Sequence, residues 1–175
     1  MGDVPMVSPS LPPYDKLSSA ERRWLAMRLY RLRSPGTSEL ATFAEAIVGD
    51  ALTGSRGTSG ASSQVGVVWR REISVEVKYS RGTNWDVSES KAHDRGPRDG
   101  RRPADVYVFA MHDGDVHSLG WSFYVVPRLR IDELGRSAVS IAQLEEWEHA
   151  PVTSDGLATA VEWAYRMQRF RSSLG

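Results

Sequence analysis

Along residues 40–52 the apolar side chains Leu40, Phe43, Ala44, Ile47, Val48, Ala51 and Leu52 recur at i, i+3, i+4, i+7 spacing. That period predicts a helix with one buried stripe, which Thr37 can cap. Ahead of it, Ser18-Ser19-Ala20-Glu21 has the form of a capping box, Ser18 to Glu21, and opens a helix to about Arg33. Ser34-Pro35-Gly36 ends that helix. Trp24 falls at helical spacing with Ala20, Met27 and Arg31, which predicts packing in a core instead of stacking on a base. The pattern then switches to extended runs over residues 65–69 and 73–79, separated by Arg70 and Arg71, and these read as a short antiparallel hairpin. Residues 105–112 (DVYVFAMH) are nearly continuous apolar chain, predicting a central strand buried on both faces. Another strand over residues 121–126 stops at Pro127, and two helices follow over 140–147 and 154–170. The order α, α, β, β, β, β, α, α predicts an α/β fold, a small mixed sheet flanked by helices.

The segments without a period divide the chain. Residues 1–15, with Pro5, Pro9, Pro12 and Pro13, read as a flexible Pro-rich arm, leaving 16–175 as a single domain. Residues 53–63 are Gly, Ser and Thr-rich and predict a loop. Residues 80–103 hold three glycines and six basic side chains, a stretch too long for a passive connection.

Composition narrows the class. A chain of 175 residues with 41% hydrophobic and 25% charged side chains is an ordinary globular protein. The absence of cysteine excludes disulfides, thiolate zinc, iron–sulfur clusters and a Cys nucleophile. No signal peptide, myristoylation pattern or 18-residue apolar run is visible, so a cytoplasmic protein with no membrane association is expected. A net charge of zero argues against binding nucleic acid by bulk positive field. The zero conceals a polarity, however: residues 1–102 carry 16 basic and 12 acidic side chains, residues 103–175 carry 6 and 10.

The second hairpin strand, Ile73-Ser74-Val75-Glu76-Val77-Lys78-Tyr79, is the segment that can carry chemistry. Alternation puts Ile73, Val75 and Val77 on one face and Ser74, Glu76 and Lys78 on the other. A carboxylate beside an ammonium, between a Gly-rich and a basic loop, fits metal-assisted phosphodiester hydrolysis. The carboxylate would hold Mg²⁺ (or Mn²⁺), and Lys78 would orient or deprotonate the attacking water. The spacing alone is weakly specific, since Glu89-Ser90-Lys91 repeats it in a polar loop. Trp85, Arg81, Arg98, Arg101 and Arg102 in the polar stretch are candidates to stack on bases and grip phosphates. His93, His112, His117 and His149 form no ligand-spaced pair, and His112 at a buried strand end reads as structural. There is no Gly-x-Ser-x-Gly elbow, Walker A loop or Gly-x-Gly-x-x-Gly.

In this context a helix bearing Glu45, a glycine-rich loop, a hairpin whose second strand reads Val75-Glu76-Val77-Lys78-Tyr79-Ser80, and then a buried strand resemble the PD-(D/E)XK nuclease superfamily, the restriction endonuclease-like fold. The resemblance covers residues 38–127 and includes the phrases Ala104-Asp105-Val106-Tyr107-Val108-Phe109-Ala110 and Trp121-Ser122-Phe123-Tyr124-Val125-Val126-Pro127. It implies an endonuclease acting on DNA, in defence against foreign DNA or in repair, alone, as a homodimer or with a partner subunit of a defence system. Glu76 is then a metal ligand, Lys78 the motif lysine, the Val77 carbonyl a further metal contact and Glu45 the acid of the preceding helix. One position departs from the family: Gly66 stands where the first motif Asp is expected, in a first strand with no acid. Three explanations follow: an Asp-to-Gly variant, a pseudonuclease that still binds nucleic acid, or substitution by Glu45 or Asp50. Those two lie about 140° apart around an ideal helix, so at most one can face the site, and Glu45 is the better placed.

Overall fold

The computed structural model describes residues 16–29, 37–53, 67–70, 73–87, 104–113, 120–134 and 136–172. The expected Pro-rich arm lies outside the described residues.

The capping box forms as read: the Ser18 N–H donates to Glu21 Oε2 at 2.8 Å, and the Glu21 N–H to Ser18 Oγ at 3.2 Å. It opens helix α1 (Ser19–Leu29), and Thr37–Thr53 forms α2, whose stripe of Leu40, Ala44, Ile47, Val48 and Leu52 is buried. Strands β1 (Val67–Trp69) and β2 (Ile73–Ser80) pair antiparallel with Val67 opposite Val75, giving the expected hairpin. Strand β3 (Asn84–Asp86) follows, then β4 (Val106–His112) and β5 (Trp121–Pro127). A short helix α3 (Arg128–Asp132), strand β6 (Ala138–Ser140), helix α4 (Ile141–Glu146), a 3₁₀ turn (Ser154–Gly156) and α5 (Leu157–Ser172) complete the chain.

The main sheet has four strands in the order β1-β2-β4-β5. β4 runs parallel to β2 and antiparallel to β5, so the sheet is mixed and β4 is internal, as its apolar run required. Alternation divides its side chains between two cores. Val75, Val77, Val106, Val108, Ala110, Phe123 and Val125 meet α1, α2 and α5 on one face. Tyr107, Phe109, Tyr124 and Val126 meet Trp85, Ile131, Val139 and Leu144 on the other.

That second layer is where structure and expectation part. β3 and β6 pair antiparallel as a separate two-stranded sheet, tied by Ile141 N–H to Thr83 O at 2.9 Å and Val87 N–H to Ser137 O at 2.7 Å. Three-residue strands are too short to display a period, and their partners lie more than fifty residues apart in sequence. Gly120 shows one backbone requirement: its φ is +68°, and a Cβ there would stand 2.6 Å from both Asp113 Oδ1 and His112 Nε2.

Candidate active site on the second hairpin strand

Strand β2 owes its place to an apolar face locked against two helices, which leaves its other face to carry polar side chains. Ser74, Glu76 and Lys78 lie on that face, with Glu76 beside Tyr107 and Lys78 beside Phe109 of β4 in the parallel register, and Asp105 just ahead of that strand. Lys78 Nζ sits 2.8 Å from Glu76 Oε1, with side chains 21% and 25% exposed. An ion pair that keeps about a quarter of its side-chain surface in solvent adds on the order of 1 kcal/mol to stability, and both groups retain an exposed edge. Val77, between them, turns its side chain into the first core.

The face is covered unevenly. Over β4 and β5 lies the layer containing Trp85, Val139 and Leu144. At the other edge β1 contributes Val68, which is 59% exposed opposite Ser74. Glu76 and Lys78 therefore occupy a shelf beside the second core, near the short edge strand.

Asp105 is the residue that sequence reasoning passed over. Its Oδ2 accepts from the Ser74 N–H at 2.9 Å and the Ser74 hydroxyl at 2.8 Å. In return the Asp105 N–H lies 2.8 Å from Ser74 O and 3.0 Å from Ser74 Oγ. This clasp stands at the start of the parallel ladder, two residues before Glu76, and sets the β2/β4 register on which the site depends. The signal was present in the Ala104-Asp105-Val106 phrase: an Asp leading a wholly apolar strand needs a partner.

Two expectations are corrected. Trp85 does not present a stacking surface: it is 1% exposed, packs against Phe109 and Tyr124, and its indole N–H donates to Ala110 O at 3.0 Å. The polar sequence around it forms strand β3, which drives the ring inward. Glu45 is not brought to Glu76 and Lys78, because α2 packs on the Val75/Val77 face and the sheet lies between. Glu45 is exposed as a residue, yet partial burial of its carboxyl pushes its pKa above the ordinary 4.5. Asp50 has another task, accepting the Ala20 N–H of α1 at 2.8 Å.

Other readings hold. Trp24 is a core residue, edge-on to Phe43, Trp121 and His112. His112 closes β4 between Trp24 and Trp121, a structural placement. Arg81 is exposed just beyond β2 and hydrogen-bonds Tyr79. Gly66, His93, Arg98, Arg101 and Arg102 lie outside the described residues.

Among the described residues no group of three His, Asp or Glu side chains converges as a metal cluster would. None of their helices is long and apolar enough to cross a membrane. Fold and site thus define a mixed α/β protein with a four-stranded mixed sheet and an accessible Glu–Lys pair on one face. Comparison with protein-family models, curated proteins and solved structures finds no match to the chain.

Proposed function

We propose that this chain acts on DNA as a Mg²⁺-dependent endonuclease of restriction endonuclease-like lineage, with Glu76 and Lys78 as its reacting pair and defence against foreign DNA as its setting. The observation that carries the reading is the pair itself. A carboxylate and an ammonium share one accessible strand face, 2.8 Å apart, on the second strand of a hairpin.

Mg²⁺ keeps several waters and is held by one or two carboxylates together with substrate phosphates. The Glu76 carboxylate and Val77 carbonyl would be a minimal donor set of that type, all oxygen. A cation there would supply charge neutralisation at the phosphate and a more acidic water. The rest falls to the chain's own groups. Lys78 orients the attacking water or takes its proton, and offsets charge developing on the phosphate. Arg81, exposed past the strand end, grips a neighbouring phosphate, with Arg98, Arg101 and Arg102 extending the contact.

A second reading, a non-catalytic nucleic-acid-binding module on the same fold, is favoured by Gly66, which offers no carboxylate where the motif needs one. One experiment separates the two. In a Mg²⁺-dependent plasmid-cleavage assay, Gly66→Asp should raise cleavage by about 10–10²-fold, the scale on which changes around a metal site act. Adding Glu76→Ala should remove it again. Salt-dependent DNA affinity without cleavage in any of these forms selects the binding module. A chain with neither affinity nor cleavage sinks both readings.

A further inference from the structure

Helix α5 is apolar on two sides. Leu157, Val161 and Ala164 are buried in the first core, yet Trp163 and Phe170 are 54% and 63% exposed. Lying seven residues apart, the two rings project within about 20° of each other around the helix axis. Arg166 falls between them at spacings of three and four, so the three residues form a seam of the kind that packs against another helix. With Val68, these rings are the large hydrophobic side chains that stand exposed among the described residues, and exposed aromatics concentrated on one helix face mark an interaction surface.

The charges beside the seam indicate what covers it. Glu162 and Arg169 are also seven residues apart and run along a single flank, one acidic and one basic. Glu162 is steadied there by Arg166 at 2.6 Å and Arg70 at 3.5 Å, while the Arg169 guanidinium lies 5.9 Å from the Tyr165 ring centre. A two-fold axis perpendicular to α5 keeps each flank on its own side and reverses the chain direction. If it lays Trp163 on Phe170 of a second copy, Glu162 comes within about 3 Å, measured along the axis, of the level of Arg169 of that copy. The same contact is made twice, as an isologous interface requires. A parallel two-fold pairing turns this flank toward the opposite flank of the second copy, so that Glu162 and Arg169 do not meet. The pattern of rings and charges is self-complementary in the antiparallel sense alone.

We propose that α5 is the self-association surface of this protein, pairing antiparallel with α5 of a second copy through Trp163 and Phe170. The inference rests on the seam and its flank, not on the nuclease reading, and stands if that reading fails.

Sedimentation velocity of the full chain tests it, with circular dichroism confirming that each variant is folded. The wild-type chain should sediment as a dimer, and Trp163→Glu with Phe170→Glu as a monomer. A second set leaves the rings in place. Arg169→Glu alone should weaken the dimer about tenfold or more, because it sets a carboxylate near the level of Glu162 of the second copy, whereas Arg169→Lys should keep it. A wild-type chain that is monomeric at all concentrations overturns the proposal. So does a dimer that survives the double glutamate variant, or one that Arg169→Glu leaves unweakened. Loss of DNA affinity from a monomeric chain on changing the two rings would assign the seam to nucleic acid and equally overturn it.

Discussion

Asp105 and Glu76 are two acids on the same face of one sheet, and their surroundings give them opposite roles. Asp105 satisfies a nearly buried Ser74 through its N–H and its hydroxyl, at 2.9 and 2.8 Å. Removing the carboxylate strands both donors, so Asp105→Ala should cost about 2–4 kcal/mol, measured as a lower urea midpoint at unchanged m-value. Glu76 is paired with a lysine whose side chain is about a fifth exposed, and Glu76→Ala should cost on the order of 1 kcal/mol in the same titration. A reversed order of the two costs would sink the assignment of a structural role to one acid and a chemical role to the other. Residue identity was enough to single out Glu76 and Lys78, because alternation along a strand fixes which side chains share a face. It was not enough for Trp85. An aromatic in a polar stretch reads as exposed until the β3/β6 pairing turns it inward, where its N–H finds Ala110 O.

At the scale of elements, local signals were legible and cross-chain ones were not. Ser18 and Glu21 are three residues apart, and their reciprocal bonds form wherever a helix starts there. The acceptor that Asp50 offers to Ala20 N–H comes from thirty residues away, and no window along the chain contains it. It occupies one of the first-turn N–H groups that lack an intrahelical partner. Asp50→Ala should therefore destabilise by about 1 kcal/mol, read as a fall in thermal midpoint, with Asp50→Asn recovering most of the loss. An unchanged midpoint for the alanine variant would show that water replaces the contact at no cost. The same distinction explains the second layer. β4 announced itself through seven consecutive ordered positions, whereas β3 and β6 are strands only because each finds the other.

Across the whole molecule, the helices and the second layer bury titratable groups that the sequence left looking exposed. His149 is pressed between Trp147 and Trp163, and burial, followed by the positive charge of Arg130, holds its pKa below the ordinary 6.5. The folded chain thus binds this proton less readily than the unfolded chain. Its contribution is fully present above pH 6.5 and is lost as pH falls through that value toward the depressed folded pKa. Thermal midpoints measured from pH 7.5 to pH 5 should fall less in His149→Gln than in the wild type. Parallel curves would show that the imidazole titrates equally in both states.

Periodicity and alternation, acting over a few residues, determined the two amphipathic helices, the hairpin, the buried central strand and the face shared by Glu76 and Lys78. These follow from geometry that every helix and strand obeys, so the sequence alone was sufficient for them. Long-range pairing decided the rest: which helix lies on which face, hence that Glu45 is screened from the pair by the sheet, that Trp85 is core, that Asp105 clasps Ser74, and that α5 shows rings to solvent. Each depends on contacts between segments far apart in the chain, whose energies are set only when the layers close on one another.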